Sequence, residues 1–154
     1  MHVVDGTTPE LLPHVRVLFE EYAASLDVDL SFQDFERELA ALPGDYAPPG
    51  GRILLALDGD EPVGCVALRA FEPGVCELKR LYVRPVAQGS GLGRRLAEAI
   101  VEAGRAAGYD RMRLDTLPSM TAARGLYRSL GFEEIEAYRP NPVHGTTYFE
   151  LRLR

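Results

Sequence analysis

The sequence predicts an α/β domain with a mixed central sheet and helices on both faces. Three observations predict it. Apolar residues recur at helical spacing in two stretches before residue 43, then fall into three strand-like runs after residue 51. A glycine-rich turn leads from the third run into a long amphipathic stretch. Helix and strand then alternate before a last pair of strands, and the resulting order ααβββαβαββ suits a sheet covered on both sides.

Each element has a local reason. Thr8-Pro9-Glu10 reads as a helix start, with Thr8 as cap and Pro9 in the first turn. Leu11, Val15, Leu18, Phe19 and Tyr22 follow at helical spacing. Ser31 opens a second helix, with Asp34 three residues on and Phe32, Phe35, Leu39 and Leu42 on one face. Pro43 to Gly51 is a proline- and glycine-rich loop. A strand from Arg52 to Leu57 turns at Asp58-Gly59 into a second from Pro62 to Phe71, which turns at Pro73-Gly74 into a third from Val75 to Arg84. Leu92, Leu96, Ile100, Ala103 and Ala107 make one helical stripe, ended by Gly108. Arg111 to Asp115 is a short strand, and Ser119 caps the next helix, which carries Tyr127 and stops at Gly131. Phe132 to Tyr138 and Thr146 to Leu153 form the last strands. With no internal repeat and no dividing linker, residues 1–154 read as one domain.

The richest stretch is Tyr82-Val83-Arg84-Pro85-Val86-Ala87-Gln88-Gly89-Ser90-Gly91-Leu92-Gly93-Arg94-Arg95-Leu96. A turn of this kind presents backbone N–H groups without internal partners at the positive end of a helix dipole, which suits phosphate oxygens. A P-loop is excluded, because no Lys-Ser or Lys-Thr pair follows the glycines. The dinucleotide fingerprint does not match in register, because Gly89, Gly91 and Gly93 are spaced by two throughout, although Asp110 and Asp115 stand at roughly the distance of its acidic residue. Gln88, Gly91 and Gly93 instead match the pattern Gln/Arg-x-x-Gly-x-Gly/Ala.

About thirty residues on stands Ala123-Arg124-Gly125-Leu126-Tyr127-Arg128-Ser129-Leu130-Gly131-Phe132. Together the two motifs resemble, in order and spacing, the pyrophosphate loop and the second marker of the GNAT superfamily of acyl-CoA N-acyltransferases. The resemblance spans Leu81 to Phe132. One departure is Met120, which stands three residues before Ala123, where many members carry Asn.

The resemblance implies a GNAT-like three-layer fold with a mixed, mostly antiparallel sheet and a splayed parallel strand pair that holds acyl-CoA. It implies acetyl-CoA as donor, with Leu81, Tyr82 and Val83 along the pantetheine arm. The Leu81 N–H would face the thioester carbonyl, as a donor needing no reorganisation when charge develops. Gln88, Gly89, Ser90, Gly91, Leu92 and Gly93 would wrap the pyrophosphate, with Arg94 adding positive charge beside Arg95. Tyr127 matches the tyrosine that faces the cofactor sulfur, and a phenol stays protonated at neutral pH and can supply a proton to a leaving thiolate. Glu77 lies eleven residues before Gln88, the separation at which glutamate-base members carry their base. N-acyl transfer needs a neutral amine, and a carboxylate is a natural acceptor of its proton. Tyr138 and Asn141, in the loop between the last strands, are candidates for binding the acceptor, since loops vary on a fixed scaffold.

Composition narrows the partners. A net charge of −6 without a basic run argues against nucleic acid and anionic membranes, and favours amine-bearing, cationic acceptors. No apolar run approaches a membrane span, and no signal peptide is visible at the N-terminus. Cys65 and Cys76 read as core thiols in a reducing cytoplasm, because the hairpin register sets Cys65 opposite Tyr82 and Cys76 opposite Phe71. His2, His14 and His144 have no ligand spacing, so no metal is expected. Neither cysteine has a nucleophile setting, which favours direct attack in a ternary complex. Candidate acceptors are a small amine, an amino acid, an aminoglycoside, or a protein N-terminus or lysine. A homodimer is left open. The rival classes are a non-catalytic CoA-binding regulatory module and a dinucleotide-binding enzyme.

Overall fold

The computed structural model describes residues 1–26, 29 and 34–154. Among the described residues seven strands form one sheet in the order β1-β2-β3-β4-β5-β7-β6. They are β1 His2–Asp5, β2 Arg52–Asp58, β3 Glu61–Glu72, β4 Val75–Val83, β5 Arg111–Thr116, β6 Glu133–Ile135 and β7 Thr147–Arg152. The helices are α1 Leu12–Ala24, α2 Phe35–Ala41, α3 Leu92–Ala106 and α4 Thr121–Ser129. Every described strand pair is antiparallel except β4–β5.

Alternation along β2 and β3 builds two cores. Ile53, Leu55, Cys65 and Ala67 face one way and pack with Val15, Leu18 and Phe19 of α1 and Phe35 and Leu39 of α2. Ala56, Val66 and Leu68 face the other way and pack with Leu92, Leu96 and Ile100 of α3. Helices therefore cover both faces of a mixed sheet, as the sequence predicts.

The N-terminus departs from the predicted order. Residues 2–5 form an edge strand, with Val3 opposite Ala56 and Val4 opposite Leu55. Four residues are too few for a periodic signal; the strand forms by pairing with the edge that β2 offers. Helix α1 begins at Leu12, later than expected, and the Thr8 carbonyl accepts from Leu11 N and Leu12 N at 3.0 and 3.1 Å in the turn before it. The proposed cap Ser31 and Phe32 lie outside the described residues. Met120, not Ser119, stands at the N-cap of α4, without a side-chain cap. Gly108 and Gly131 do take positive φ, +94° and +98°, as helix-stopping glycines.

The β3–β4 hairpin carries two irregularities. One, between Ala70 and Glu72, leaves Phe71 unpaired and sets Cys76 opposite Ala70, so the expected Phe71 partner is corrected by one residue; Cys65 pairs with Tyr82 as predicted. The other places Arg80 at φ +62°. A non-glycine residue in that region costs on the order of 1–3 kcal/mol and persists where its surroundings hold it. Here the holder is Glu38 of α2, which accepts from Arg80 Nε at 2.9 Å and Nη2 at 3.0 Å.

Candidate active site

The site begins where β4 and β5 part. Their parallel ladder holds only Val75, Cys76 and Glu77 against Arg111, Met112 and Arg113, although β4 runs on to Val83 and β5 to Thr116. Beyond Glu77 the strands bound a cavity of about 600 Å³. Leu78 to Val83 form one wall and Leu114 to Leu117 the other. Tyr22, Ser25 and Leu26 of α1 and its C-terminal turn reach one end, and the glycine turn and α4 close the rest. Volume and mixed lining are those of a small-molecule cleft.

Two ion pairs set these walls. Arg84, just past β4, donates to Glu21 through Nε at 2.9 Å and Nη2 at 2.6 Å, which ties the end of α1 to β4. Arg80 and Glu38 tie α2 to the middle of β4. On the far side Arg124 Nη2 donates to the Leu117 carbonyl at 3.1 Å, holding the segment between β5 and α4.

The glycine turn leads from β4 into α3. Gly89 and Gly91 have φ of +81° and +84°, and a Cβ at either would meet nothing within 4 Å, so both face open space. Gly91 is the N-cap of α3. Gln88 N and Ser90 N donate to the Pro85 and Ala87 carbonyls at 3.2 and 3.4 Å, whereas the space beside Gly89 and Gly91 at the positive end of α3 is open, a setting that suits an anion such as a pyrophosphate. Gln88, Gly89, Gly91, Leu92 and Gly93 line the cavity, as do Leu81, Tyr82 and Val83. Ser90 and Arg94 are not among the lining residues: the Ser90 hydroxyl donates to the Ala87 carbonyl at 2.5 Å, and Arg94 bonds Ser129 of α4 and lies 3.8 Å from Glu98.

Tyr127 lines the cavity and is only 4% exposed. Its ring rests on Phe132 and Phe149, with centroids 5.5 and 6.4 Å away. Burial pushes its pKa well above the usual phenol value, and Tyr22 and Asp115 add to the rise. The phenol therefore stays protonated throughout the neutral range.

Glu77 sits differently. It is fully buried (0% exposed) at the last rung of the β4–β5 ladder and is not a lining residue. Its Oε1 accepts from Arg69 at 3.2 Å, and its Oε2 accepts from the Tyr138 hydroxyl at 2.8 Å and from Arg139. Burial works to raise its pKa, but Lys79, Arg139 and Arg69 outweigh burial and hold the carboxyl below its usual value. Tyr138 thus belongs to the Glu77 cluster, packed between Phe71 and Tyr148 with centroids at 5.0 and 5.2 Å, whereas Asn141 lines the cavity and donates to Asp115 Oδ2 at 3.5 Å.

A stability prediction arises here. Glu77→Gln should cost about 3–5 kcal/mol at neutral pH, because it strips a buried carboxylate from its cations. A folded-state pKa below the unfolded value contributes stability that is present above the unfolded value and lost as pH falls through the folded one. The difference between wild type and variant should therefore shrink in acid, below the reference value of 4.5. Urea denaturation of both proteins across that range checks it; a gap independent of pH would refute the pairing.

Sequence reasoning missed several lining residues. Lys79 and Arg80 were legible only as neighbours of Glu77, and Tyr22 only as a helix-stripe aromatic. Asp115 was legible only as the end of a strand and as an acid at roughly the distance that a dinucleotide site would need. Among the described residues no three His, Cys, Asp or Glu side chains gather as a metal site, and no helix is long and apolar enough to cross a membrane. Cys65 and Cys76 are buried and free, and burial raises both thiols, Cys76 to about 12.

Similarity to known proteins agrees with this geometry. Residues 15–132 match the acetyltransferase (GNAT) family. An uncharacterized N-acetyltransferase of Schizosaccharomyces pombe is 40% identical over 147 residues, covering 94% of this chain and 90% of the relative. A GNAT-family acetyltransferase from Staphylococcus aureus shares the fold with a TM-score of 0.83 at 16% identity, over 99% of both chains. A second structure, a putative acetyltransferase from Salmonella typhimurium with its cofactor acetyl-CoA, aligns with a TM-score of 0.73 at 19% identity, over 100% of this chain and 95% of that one. The chain therefore belongs to the acetyltransferase (GNAT) family of acyl-CoA-dependent N-acetyltransferases.

Proposed function

We propose that residues 1–154 form one acetyltransferase domain that moves an acetyl group from acetyl-CoA to a primary amine, by direct attack in a ternary complex. The observation that carries this reading is the gap between β4 and β5, which opens onto a glycine turn facing open space. The acetyl-CoA reported for the Salmonella typhimurium neighbour supports the same donor.

Acetyl-CoA supplies the acyl group, and the chain's own residues do the rest. The backbone of Gln88 to Gly93 holds the pyrophosphate, and Arg94, at the start of α3, adds positive charge near it. Leu81 to Val83 line the path of the pantetheine arm, with the Leu81 N–H aimed at the thioester oxygen. Tyr127 holds a proton at its hydroxyl for the departing sulfur. Asn141 contacts the acceptor, and Tyr138 supports that end through Glu77. Glu77 takes the amine proton through water, since its oxygens are engaged away from the cavity wall. A second reading, favoured by its position in that wall, gives the proton to Asp115. Turnover separates them: Glu77→Gln, assayed where it remains folded, should lower the rate and remove the acidic limb of its pH profile. An unchanged limb would transfer the role to Asp115.

The two thiols are buried, which accords with direct transfer and with a reducing, cytoplasmic setting. A thermal-shift comparison of acetyl-CoA, NAD and ATP tests the donor. Ligand at a hundredfold its dissociation constant should add about 2.7 kcal/mol, for acetyl-CoA alone. Stabilisation by NAD or ATP instead would overturn the assignment. Free-thiol release with an amine then separates the enzyme from a non-catalytic CoA-binding module.

A further inference from the structure

The loop between β6 and β7, residues 136–146, has few apolar anchors. Ala137, Pro140, Pro142, His144 and Gly145 are exposed, so burial contributes little to its place and polar contacts decide it. Those contacts fall in two groups. At the start of the loop, Tyr138 donates to Glu77 Oε2 at 2.8 Å and Arg139 pairs with the same oxygen. The Arg139 guanidinium lies over the rings of Phe71 and Tyr138 at 5.4 and 5.2 Å, and the Arg139 carbonyl accepts from the Tyr148 hydroxyl at 3.0 Å. Further on, Asn141 Oδ1 accepts from Val143 N at 2.8 Å, while its Nδ2 faces Asp115 Oδ2 at 3.5 Å.

Both groups rest on the edge of the gap between β4 and β5. Glu77 is the last rung of their ladder. Tyr148 is the register partner of Asp115 across β5 and β7, and such partners share a face of the sheet. Glu77 and Tyr148 are 0% and 7% exposed, so the sheet itself fixes the anchors. Only Pro140 separates Arg139 from Asn141, and Pro142 follows. Prolines fix their own φ and restrict the residue before them, so this short connection has little slack.

From this arrangement we infer that Arg139 and Tyr148 are positioning residues of the acceptor site. Neither lines the cavity. They act through Asn141, which does, by holding the start of the loop against Glu77 and β7. The inference rests on the reading above that Asn141 contacts the acceptor, and it holds whichever carboxylate takes the amine proton.

The test has two arms. The first needs no acceptor. In Tyr148→Phe, which keeps the ring and loses one hydroxyl, the Val143 N–H should exchange with solvent about tenfold faster, the worth of one hydrogen bond. Arg139→Gln should act in the same direction. Unchanged exchange at Val143 in the folded Tyr148→Phe protein would overturn the proposal. The second arm uses the amine with the highest kcat/KM among L-phenylalanine, phenethylamine, spermidine and kanamycin, read by thiol release. Tyr148→Phe and Asn141→Ala should each raise its KM about three- to tenfold, with acetyl-CoA affinity kept within about twofold. The double variant should be no worse than Asn141→Ala alone, because both remove one interaction. A packing role for Tyr148 would make the two losses multiply, and that result would overturn the proposal. Absence of acetyl-CoA binding would instead defeat the acetyltransferase reading, while Val143 exchange still reports on the anchor.

Discussion

Tyr127→Phe should lower turnover by about 100- to 10,000-fold, the range in which positioned general acids contribute. The substitution removes one hydroxyl and leaves the ring that packs on Phe132 and Phe149. Acetyl-CoA affinity should stay within about twofold, because the hydroxyl acts only as charge develops on sulfur. The structural setting favours this separation. Burial keeps the phenol protonated well above neutral pH, and Tyr127 lies in the cavity wall beside the parted strands. Single-turnover measurements with a rapidly acetylated amine give the chemical step directly. Wild-type single-turnover rates in the Phe variant would reduce Tyr127 to a packing residue. Loss of acetyl-CoA affinity in step with rate would make it a binding group.

Gly91→Val should weaken acetyl-CoA binding by at least about 100-fold, equivalent to about 2.7 kcal/mol. At φ +84° a β-branched residue is strained, and the added Cβ meets nothing within 4 Å. The fold therefore loses only on the order of 1–2 kcal/mol of local backbone energy. The valine would occupy the open space through which phosphate oxygens reach the turn. Gly64 makes the useful contrast: a Cβ there would come within 3.0 Å of the Tyr82 carbonyl and 3.1 Å of Leu96, so its substitution acts first through packing and stability, whereas Gly91 opens onto unfilled space. Calorimetric titration of acetyl-CoA into folded Gly91→Val protein measures the loss. Wild-type affinity would remove the pyrophosphate from this turn.

Much of the donor half was legible in the sequence because it is local. The pattern from Gln88 to Gly93 encodes its own turn: glycines at positive φ, then a helix opening at Leu92. The stop at Gly131 and the apolar stripe of α3 are local in the same sense, since neighbours along the chain decide them. The stripe itself ran slightly off the expected line. Ala107 is exposed while Val101 and Gly104 are buried, because α3 rolls toward Met112, Leu153 and Cys76, which lie within 3.0, 3.3 and 3.5 Å of a Cβ built at Gly104.

The acceptor half was not legible, because its residues meet only across the sheet. Glu77 looked like a base at the right distance from Gln88, but spacing along a strand does not say which groups will cover a side chain. The loop carrying Tyr138 and Arg139 folds back sixty-odd positions to seal it against Arg69. Lys79 and Asp115 become opposite walls of one cavity only because the ladder between β4 and β5 stops after three pairs. Net charge pointed to cationic acceptors, whereas the electrostatics of the site are set by the few charges that fold into its wall. By itself the sequence determined the glycine turn and the helix and strand periods, which follow from nearest-neighbour backbone preferences and apolar spacing, and its two motifs carried the resemblance to the family. The tertiary structure alone decided which carboxylate faces the cavity, which cations line it and how the edge strand β1 forms, because those outcomes depend on contacts between residues far apart in the chain.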